Sequence, residues 1–126
     1  MQEDSFLTKN GAGQKPEKIR VKIRQHSVIA RLACLLIKQK DVALTFHKTI
    51  YLSHSSPSRF LKDPQWVAHE LAHVRQFMQY GPVRFTFKYL FESLRGGYFN
   101  NKWERQARAQ EADTAILEDF CFEYSD

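Results

Sequence analysis

Two histidines and a glutamate occur within the short segment HELAH at residues 69–73, and their spacing suits a hydrolytic metal site. In a helix of about 3.6 residues per turn, His69 and His73 lie on one face, and Glu70 lies beside them. Two imidazoles can bind one Zn²⁺ ion, and the neighbouring carboxylate can act as a general base. Catalytic zinc usually has three protein ligands and an open position for water, so the third ligand must come from elsewhere.

The residues around the motif predict the helix that it requires. Asp63 is a suitable N-cap, and Pro64 suits the first helical position because its missing amide hydrogen is not needed there. Apolar residues recur along the following turns, and Gly81-Pro82 supplies a stop signal. We therefore expect a helix over residues 64–79, with the motif starting about one turn inside it.

The remaining pattern predicts an α+β fold with a three-stranded sheet and about four helices. Alternating apolar and basic residues predict the first strand, and two β-prone runs joined by His47-Lys48 predict a hairpin. The predicted elements are a strand over 19–24, a helix over 28–40 capped by Ser27, hairpin strands over 42–46 and 49–52, an aromatic-rich helix over 85–97 and a last helix over 101–119. We expect the aromatic helix to pack against the motif helix; the alternative is that its aromatics face a membrane or a partner protein.

Chain length and composition indicate one small domain. Residues 1–18 contain little apolar material, so we expect a flexible N-terminal segment followed by a single folded domain over residues 19–126. The chain has no apolar run long enough to span a membrane, no signal-peptide pattern at its start and only two isolated cysteines, which together predict a cytoplasmic protein. The net charge of +5 is explained by solvated faces of a strand and a helix, so no nucleic acid partner is expected.

Two carboxylates in the last predicted helix are candidates for the third metal ligand. Glu104 and Glu111 are about two turns apart on nearly the same face, so one can bind the metal while the other supports a ligating histidine. His26 and His54 are isolated in the sequence and are expected to be solvated or locally hydrogen-bonded. Tyr98 is a candidate donor to an oxyanion, although packing at a helix entrance is the commoner role for such a tyrosine.

Four segments of the chain carry a family resemblance. They are VKIRQHSVIARLA (21–33), VALTFHKTIYL (42–52), HELAHVRQ (69–76) and GYFNNKWERQAR (97–108). Over residues 19–113 the chain resembles the gluzincin zinc metallopeptidases, specifically short bacterial metallopeptidase-like proteins classed as a domain of unknown function. The resemblance implies a minimal zincin-like domain with HExxH on its central active-site helix. It also implies that the third zinc ligand is a Glu three residues before an Ala, which selects Glu104 with Ala107. Gln106 and His47 depart from the family pattern, at positions where relatives often have an acid and a glycine.

The combined features predict a zinc metalloendopeptidase that acts on a peptide or protein substrate. Zinc would activate the attacking water, and Glu70 would take its proton and pass it to the leaving amine. The resemblance also implies that an extended peptide pairs with a sheet edge, for which Thr49–Leu52 is the candidate strand. The alternative is a non-catalytic zinc-containing module that binds a protein or peptide. A nucleic-acid-associated protein ranks third, since basic and aromatic residues are not interleaved in one stretch.

Overall fold

The computed structural model describes residues 17–126 as an α+β fold with four strands, five α-helices and one 3-10 helix. In chain order the elements are β1 (Ile19–Arg24), α1 (Val28–Ile37), β2 (Ala43–Phe46), β3 (Thr49–Leu52), α2 (Pro57–Leu61), α3 (Pro64–Tyr80), α4 (Pro82–Asn100), α5 (Lys102–Gln110), the 3-10 helix (Thr114–Asp119) and β4 (Phe120–Glu123). The predicted α+β class is confirmed. Within the described residues the sheet has four strands where three were predicted, and there are six helices where about four were predicted. The flexible segment predicted for residues 1–18 lies outside the described residues except for its last two positions.

The C-terminal segment differs from the single long helix that the sequence predicts. α5 ends at Gln110, and the carboxylate of Asp113 caps the separate 3-10 helix by accepting a hydrogen bond from a backbone amide at 3.1 Å. The chain then forms β4, which pairs in parallel with β1 and places Phe120 opposite Ile19. Phe120 is buried in this arrangement. β4 has only four residues, too few for a clear strand pattern in the sequence, so its structure is decided by packing against a distant strand.

The sheet has the strand order β2-β3-β1-β4. β1 is parallel to both β3 and β4, whereas β2 and β3 form the predicted antiparallel hairpin. His47 lies in the hairpin turn with a φ of 55°, a left-handed conformation that is more usual for glycine. Because β3 lies between β2 and β1, the prediction that Thr49–Leu52 forms an edge strand is wrong. The edge strand on this side of the sheet is β2.

Helices cover both faces of the sheet. α3 packs on the face that carries Ile50, and Leu71 of α3 is fully buried in the main core. α1 contributes Ala30 and Cys34 to a second buried cluster, against which Tyr51 packs. Tyr51 follows Ile50 in β3, so its side chain points to the other face of the sheet. The free edge of β2 therefore lies between α1 on one face and α3 on the other.

α4 is the predicted aromatic-rich helix, but only part of it packs as predicted. Phe85 is 1% exposed, and its ring centroid lies 4.6 Å from that of Phe77 on α3. Phe87 and Phe91 are 69% and 63% exposed. Gly97 interrupts the helix with a φ of 82°, which L side chains rarely adopt, and so redirects the chain toward α5. In the part of the chain that the structure describes, no helix has the length and apolar content needed to cross a membrane.

Candidate metal centre

The side chains of the HExxH motif lie on the buried side of α3. The helix begins as predicted, with the carboxylate of Asp63 accepting a hydrogen bond from the amide of Trp66 at 3.2 Å, and it extends to Tyr80. Glu70 and His73 are only 4% and 6% exposed. Burial of ionisable groups is costly unless they are paired, so partners for these side chains must come from other elements.

α5 brings Glu104 to the motif. The first turn of α5 is anchored by Asn101, which is fully buried and donates a hydrogen bond to the carbonyl of Tyr89 at 3.0 Å. Oε1 of Glu104 lies 3.0 Å from Nε2 of His69, and Oε2 lies 3.2 Å from Nε2 of His73. Within residues 17–126, these three residues form the one group of three or more potential ligands whose ligand atoms all lie within 4.8 Å of one another.

Each histidine is held from behind through Nδ1. Oε2 of Glu111 lies 2.7 Å from Nδ1 of His69, and Oε1 of Gln76 lies 2.8 Å from Nδ1 of His73. The amide nitrogen of Gln76 donates to the carbonyl of Trp103 at 3.1 Å, so the amide oxygen faces the histidine. Because Nδ1 is hydrogen-bonded in both rings, each Nε2 points to the carboxylate of Glu104 on α5. Outer partners on Nδ1 are typical of histidines that bind metals through Nε2.

The two candidate carboxylates therefore occupy different positions around His69. Glu104 contacts Nε2 and bridges to His73, whereas Glu111 contacts Nδ1 on the other side of the ring. Both residues come within hydrogen-bonding distance of the motif, as their shared helical face indicated. Glu111 keeps helical backbone angles as the C-cap of α5, so the two carboxylates share a face but start about 10 Å apart along the helix axis. This axial separation lets them reach opposite sides of the His69 ring.

Three supporting side chains were not identified from the sequence, namely Gln76, Tyr89 and Thr45. Gln76 lies three residues after His73, and this helical spacing was a usable signal. The hydroxyl of Tyr89 donates to Oε2 of Glu104 at 2.5 Å, and the hydroxyl of Thr45 donates to Oε1 of Glu70 at 2.8 Å. These two contacts join residues 15 and 25 positions apart in the chain, so no local pattern predicts them.

The charges of the cluster are strongly coupled. Burial alone would lower the pKa of His69, but hydrogen bonding to Glu104 and the charges of the nearby carboxylates raise it to about 9. Burial alone would raise the pKa of Glu104, but hydrogen bonds from His69 and His73 hold it well below its usual range. Both histidines therefore favour the protonated form, whose positive charge balances the negative charge of Glu104. A divalent cation held by the same atoms would replace those protons.

Glu70 and Tyr98 line the same cleft, and the pKa of each is raised above its ordinary value. Burial raises the pKa of Glu70, although the positive charges of the two histidines and the hydrogen bond from Thr45 act in the opposite direction. A raised carboxyl pKa moves the group toward the working range of a general base. Burial and the charge of Glu104 also raise the pKa of Tyr98, so its phenol stays protonated and available as a hydrogen-bond donor.

The cluster opens into a cleft of about 580 Å³. All four residues of β2, Ala43–Phe46, line this cleft together with Glu70, and so do Leu36 of α1 and Leu90 of α4. Within the described residues, no strand pairs with the outer edge of β2. A strand edge of this kind leaves backbone amide and carbonyl groups free for pairing.

The other sequence-identified histidines lie outside the cluster and make local hydrogen bonds, as predicted. Nδ1 of His54 is 3.1 Å from the hydroxyl of Ser53, and Nδ1 of His26 is 3.3 Å from the guanidinium of Arg31. His47 occupies the hairpin turn and does not line the cleft. Its departure from the family pattern therefore affects the turn and not the candidate site.

Comparisons of the chain with protein-family models, curated proteins and solved structures found no match. The gluzincin resemblance therefore stays a prediction from four sequence segments. The functional assignment rests on the geometry of the cluster.

Proposed function

We propose that this protein is a zinc-dependent hydrolase of peptide bonds, with His69, His73 and Glu104 as metal ligands and Glu70 as general base. The observation that carries the proposal is the convergence of two histidine Nε2 atoms on one buried carboxylate, at 3.0 and 3.2 Å. An outer partner holds each Nδ1 at the same time. Buried histidines need hydrogen-bond partners, but that need alone does not explain why two imidazole rings point to one carboxylate beside a cleft.

The donor set and its spacing fit zinc. One ligand atom from each of the three side chains lies within 4.8 Å of the other two, which is close enough for small side-chain rotations to bring all three to one ion. Two imidazoles and one carboxylate with an open position suit zinc better than calcium or magnesium, which prefer oxygen ligands. The cleft provides room for a water molecule and a substrate beside the three ligands.

Each side chain has a distinct part in the proposed reaction. Zinc bound by the three ligands supplies Lewis acidity, which lowers the pKa of a water and polarises the substrate carbonyl. Glu70 takes a proton from the attacking water and later delivers it to the leaving amine. Thr45 donates to Oε1 of Glu70 and so leaves Oε2 as the oxygen for proton transfer. Tyr98 lines the cleft as a protonated phenol, in a position to donate to a developing oxyanion.

The free edge of β2 is the proposed substrate-binding strand, in place of the Thr49–Leu52 strand that the sequence suggested. An extended peptide can add to such an edge through backbone hydrogen bonds, while alternate side chains enter pockets on either side. Thr45 of β2 contacts Glu70 directly, so a peptide bound along β2 would pass beside the general base. Peptide bonds in an extended, unfolded segment are therefore the substrate class.

The experiment that tests this proposal measures zinc content and hydrolysis of fluorescein-labelled casein in parallel. We expect the wild-type protein to cleave the substrate, to lose activity with a chelator and to regain it with zinc. Glu70→Gln should keep its zinc and lose activity at least about a hundredfold. The matched control is Glu118→Gln, an exposed acid on the 3-10 helix, which should retain full activity.

The alternative function is a non-catalytic zinc-containing module that binds a protein or peptide along the same edge. It predicts bound zinc, binding of an unfolded peptide and no cleavage. Under that alternative, Glu70→Gln would leave peptide affinity unchanged. Full hydrolytic activity in Glu70→Gln would contradict the proposed role of Glu70 as general base.

A further inference from the structure

α4 exposes a continuous stripe of large apolar side chains. At about 100° per residue, five of its residues fall on one face of the helix. They are Val83, Phe87, Leu90, Phe91 and Leu94, and their exposed fractions range from 49% to 89%. The opposite face of the helix carries Phe85 and Glu92, which are buried against the rest of the fold. The exposed stripe is thus the outer face of a helix that already has a packed inner face.

Basic side chains run along one border of that stripe. Arg84, Lys88 and Arg95 lie next to it on the helical wheel, and all three are exposed. The one carboxylate of α4 is Glu92, which is buried and lies 3.3 Å from the guanidinium of Arg95. The outer face of α4 therefore combines apolar and positively charged groups without an exposed acid.

α1 carries a second stripe of the same kind. Its exposed apolar residues are Val28, Ile29, Leu32, Leu35 and Leu36, with exposed fractions from 55% to 82%. Arg31 and the C-cap Lys38 lie beside this stripe and are exposed, and α1, which lies wholly within the described residues, contains no carboxylate. Leu36 of α1 and Leu90 of α4 both line the cleft. The stripes of α1 and α4 therefore border the same opening, and we call them together the apolar rim.

We propose that the apolar rim docks on the surface of an anionic lipid bilayer, with the mouth of the cleft facing the membrane. A helix that buries large apolar side chains at the headgroup boundary and has lysine and arginine beside them is suited to that interface. Anionic lipids attract such basic groups, and the attraction acts within about one Debye length of the surface. Neither helix spans the bilayer in this arrangement, and the interaction does not depend on zinc or on hydrolysis.

Charge favours a lipid surface over a second copy of the chain. In a two-fold symmetric dimer the same patch meets itself, which would bring the basic rows of two α4 helices into one interface. Like charges across an interface are unfavourable unless acids pair with them. The apolar rim offers no exposed carboxylate on α1 or α4, both of which are fully described, to provide that pairing. A phosphate-bearing surface supplies the missing negative charge.

Vesicle co-sedimentation of the full chain tests the proposal. We expect binding to vesicles that mix phosphatidylglycerol with phosphatidylcholine to be at least tenfold stronger than binding to pure phosphatidylcholine, and to weaken as salt is added. Phe87→Gln with Leu94→Gln, and separately Arg84→Gln with Lys88→Gln, should each reduce the partition coefficient at least about tenfold. These side chains are exposed, so circular dichroism should report an unchanged fold.

Two matched controls keep the outcome specific to the apolar rim. Tyr124→Gln changes an exposed aromatic beyond β4, at the far edge of the sheet, and Arg59→Gln with Lys62→Gln removes two exposed bases around α2. Both should bind vesicles like the wild type. The proposal is overturned by equal binding to both vesicle types or by wild-type binding in the rim variants. It is also overturned if the protein ignores vesicles and instead forms a dimer that Phe87→Gln with Leu94→Gln dissociates.

Discussion

Oε2 of Glu111 lies 2.7 Å from Nδ1 of His69, while Nε2 of the same ring lies 3.0 Å from Oε1 of Glu104. One imidazole is thus held between two carboxylates that both come from the C-terminal part of the chain. The arrangement assigns the acids different functions: Glu104 faces the candidate metal position, and Glu111 orients the ring from behind.

Removing the charge of Glu111 should weaken zinc binding without abolishing it. In Glu111→Gln the outer partner of His69 is a neutral amide. The imidazole ring is then less basic and is held less firmly in its orientation. We expect the zinc affinity to fall roughly tenfold to hundredfold, which is the usual effect of losing an outer partner of a ligating histidine. Competition with a chromogenic chelator measures the affinity. Glu118→Gln serves as the matched control and should bind zinc like the wild type. An unchanged affinity in Glu111→Gln would mean that its contact with Nδ1 has no role in metal binding.

Thr45→Val should change the pH dependence of hydrolysis while leaving zinc content intact. The threonine hydroxyl stabilises the ionised form of Glu70, so its loss raises the pKa of that carboxyl further. The general base must be ionised, and the acid limb of the kcat/KM profile should therefore move to higher pH. A profile that keeps its acid limb while the overall rate falls would indicate only a structural role for Thr45.

Asp41 should contribute stability that depends on pH. Burial would raise its pKa, but hydrogen bonds from Ser55, Ser53 and the backbone of His54 lower it below the ordinary value of 3.8. A lowered folded-state pKa means that the contribution is fully present above about pH 4 and is lost as the pH falls through the folded-state pKa.

Asp41→Asn should accordingly reduce the free energy of unfolding by about 1 kcal/mol near pH 7. The figure lies below the usual range for hydrogen bonds to charged groups, because the carboxylate is partly exposed and screened by solvent. Urea denaturation at pH 7 and pH 3 measures the difference, which should shrink at the lower pH. A difference that stays constant between the two pH values would contradict the assignment.

Asn101→Ala should destabilise the fold and detach the start of α5. The buried amide donates to the carbonyl of Tyr89 and to the hydroxyl of Ser93, and its oxygen caps the amide of Trp103. Losing these bonds leaves buried groups unpaired, so we expect a loss of roughly 2–4 kcal/mol in denaturant unfolding. The neighbouring Asn100→Ala, at an exposed position, is the control and should change stability by less than about 0.5 kcal/mol.

The elements that the sequence predicts correctly are those with local signals. Asp63 and Pro64 define the start of α3 through capping chemistry that acts within one turn. The alternation of residues 19–24 and the two runs around His47 likewise predict β1 and the hairpin, because strand and turn patterns extend over only a few residues. The HExxH spacing itself predicts that His69 and His73 share a face.

The remaining features depend on contacts between distant segments. β4 exists because Phe120 pairs beside Ile19, about a hundred positions earlier in the chain, and strand order cannot be read from four residues. The order of the strands also decides which hairpin strand is the edge, and that assignment was wrong. Tyr89 and Thr45 reach the cluster only through the packing of α4 and β2 on α3. The aromatic content of α4 predicted that this helix packs against α3, but it did not distinguish the packed side of the helix from its exposed side.

Metal content of the purified protein, measured by mass spectrometry after exposure to zinc and removal of the excess, tests the central claim most directly. We expect about one zinc per chain in the wild type and in Glu118→Gln, and almost none in Glu104→Gln, whose folding is checked by circular dichroism. A wild-type protein that takes up no zinc, or a folded Glu104→Gln that retains a full equivalent, would contradict the assignment of His69, His73 and Glu104 as a metal centre.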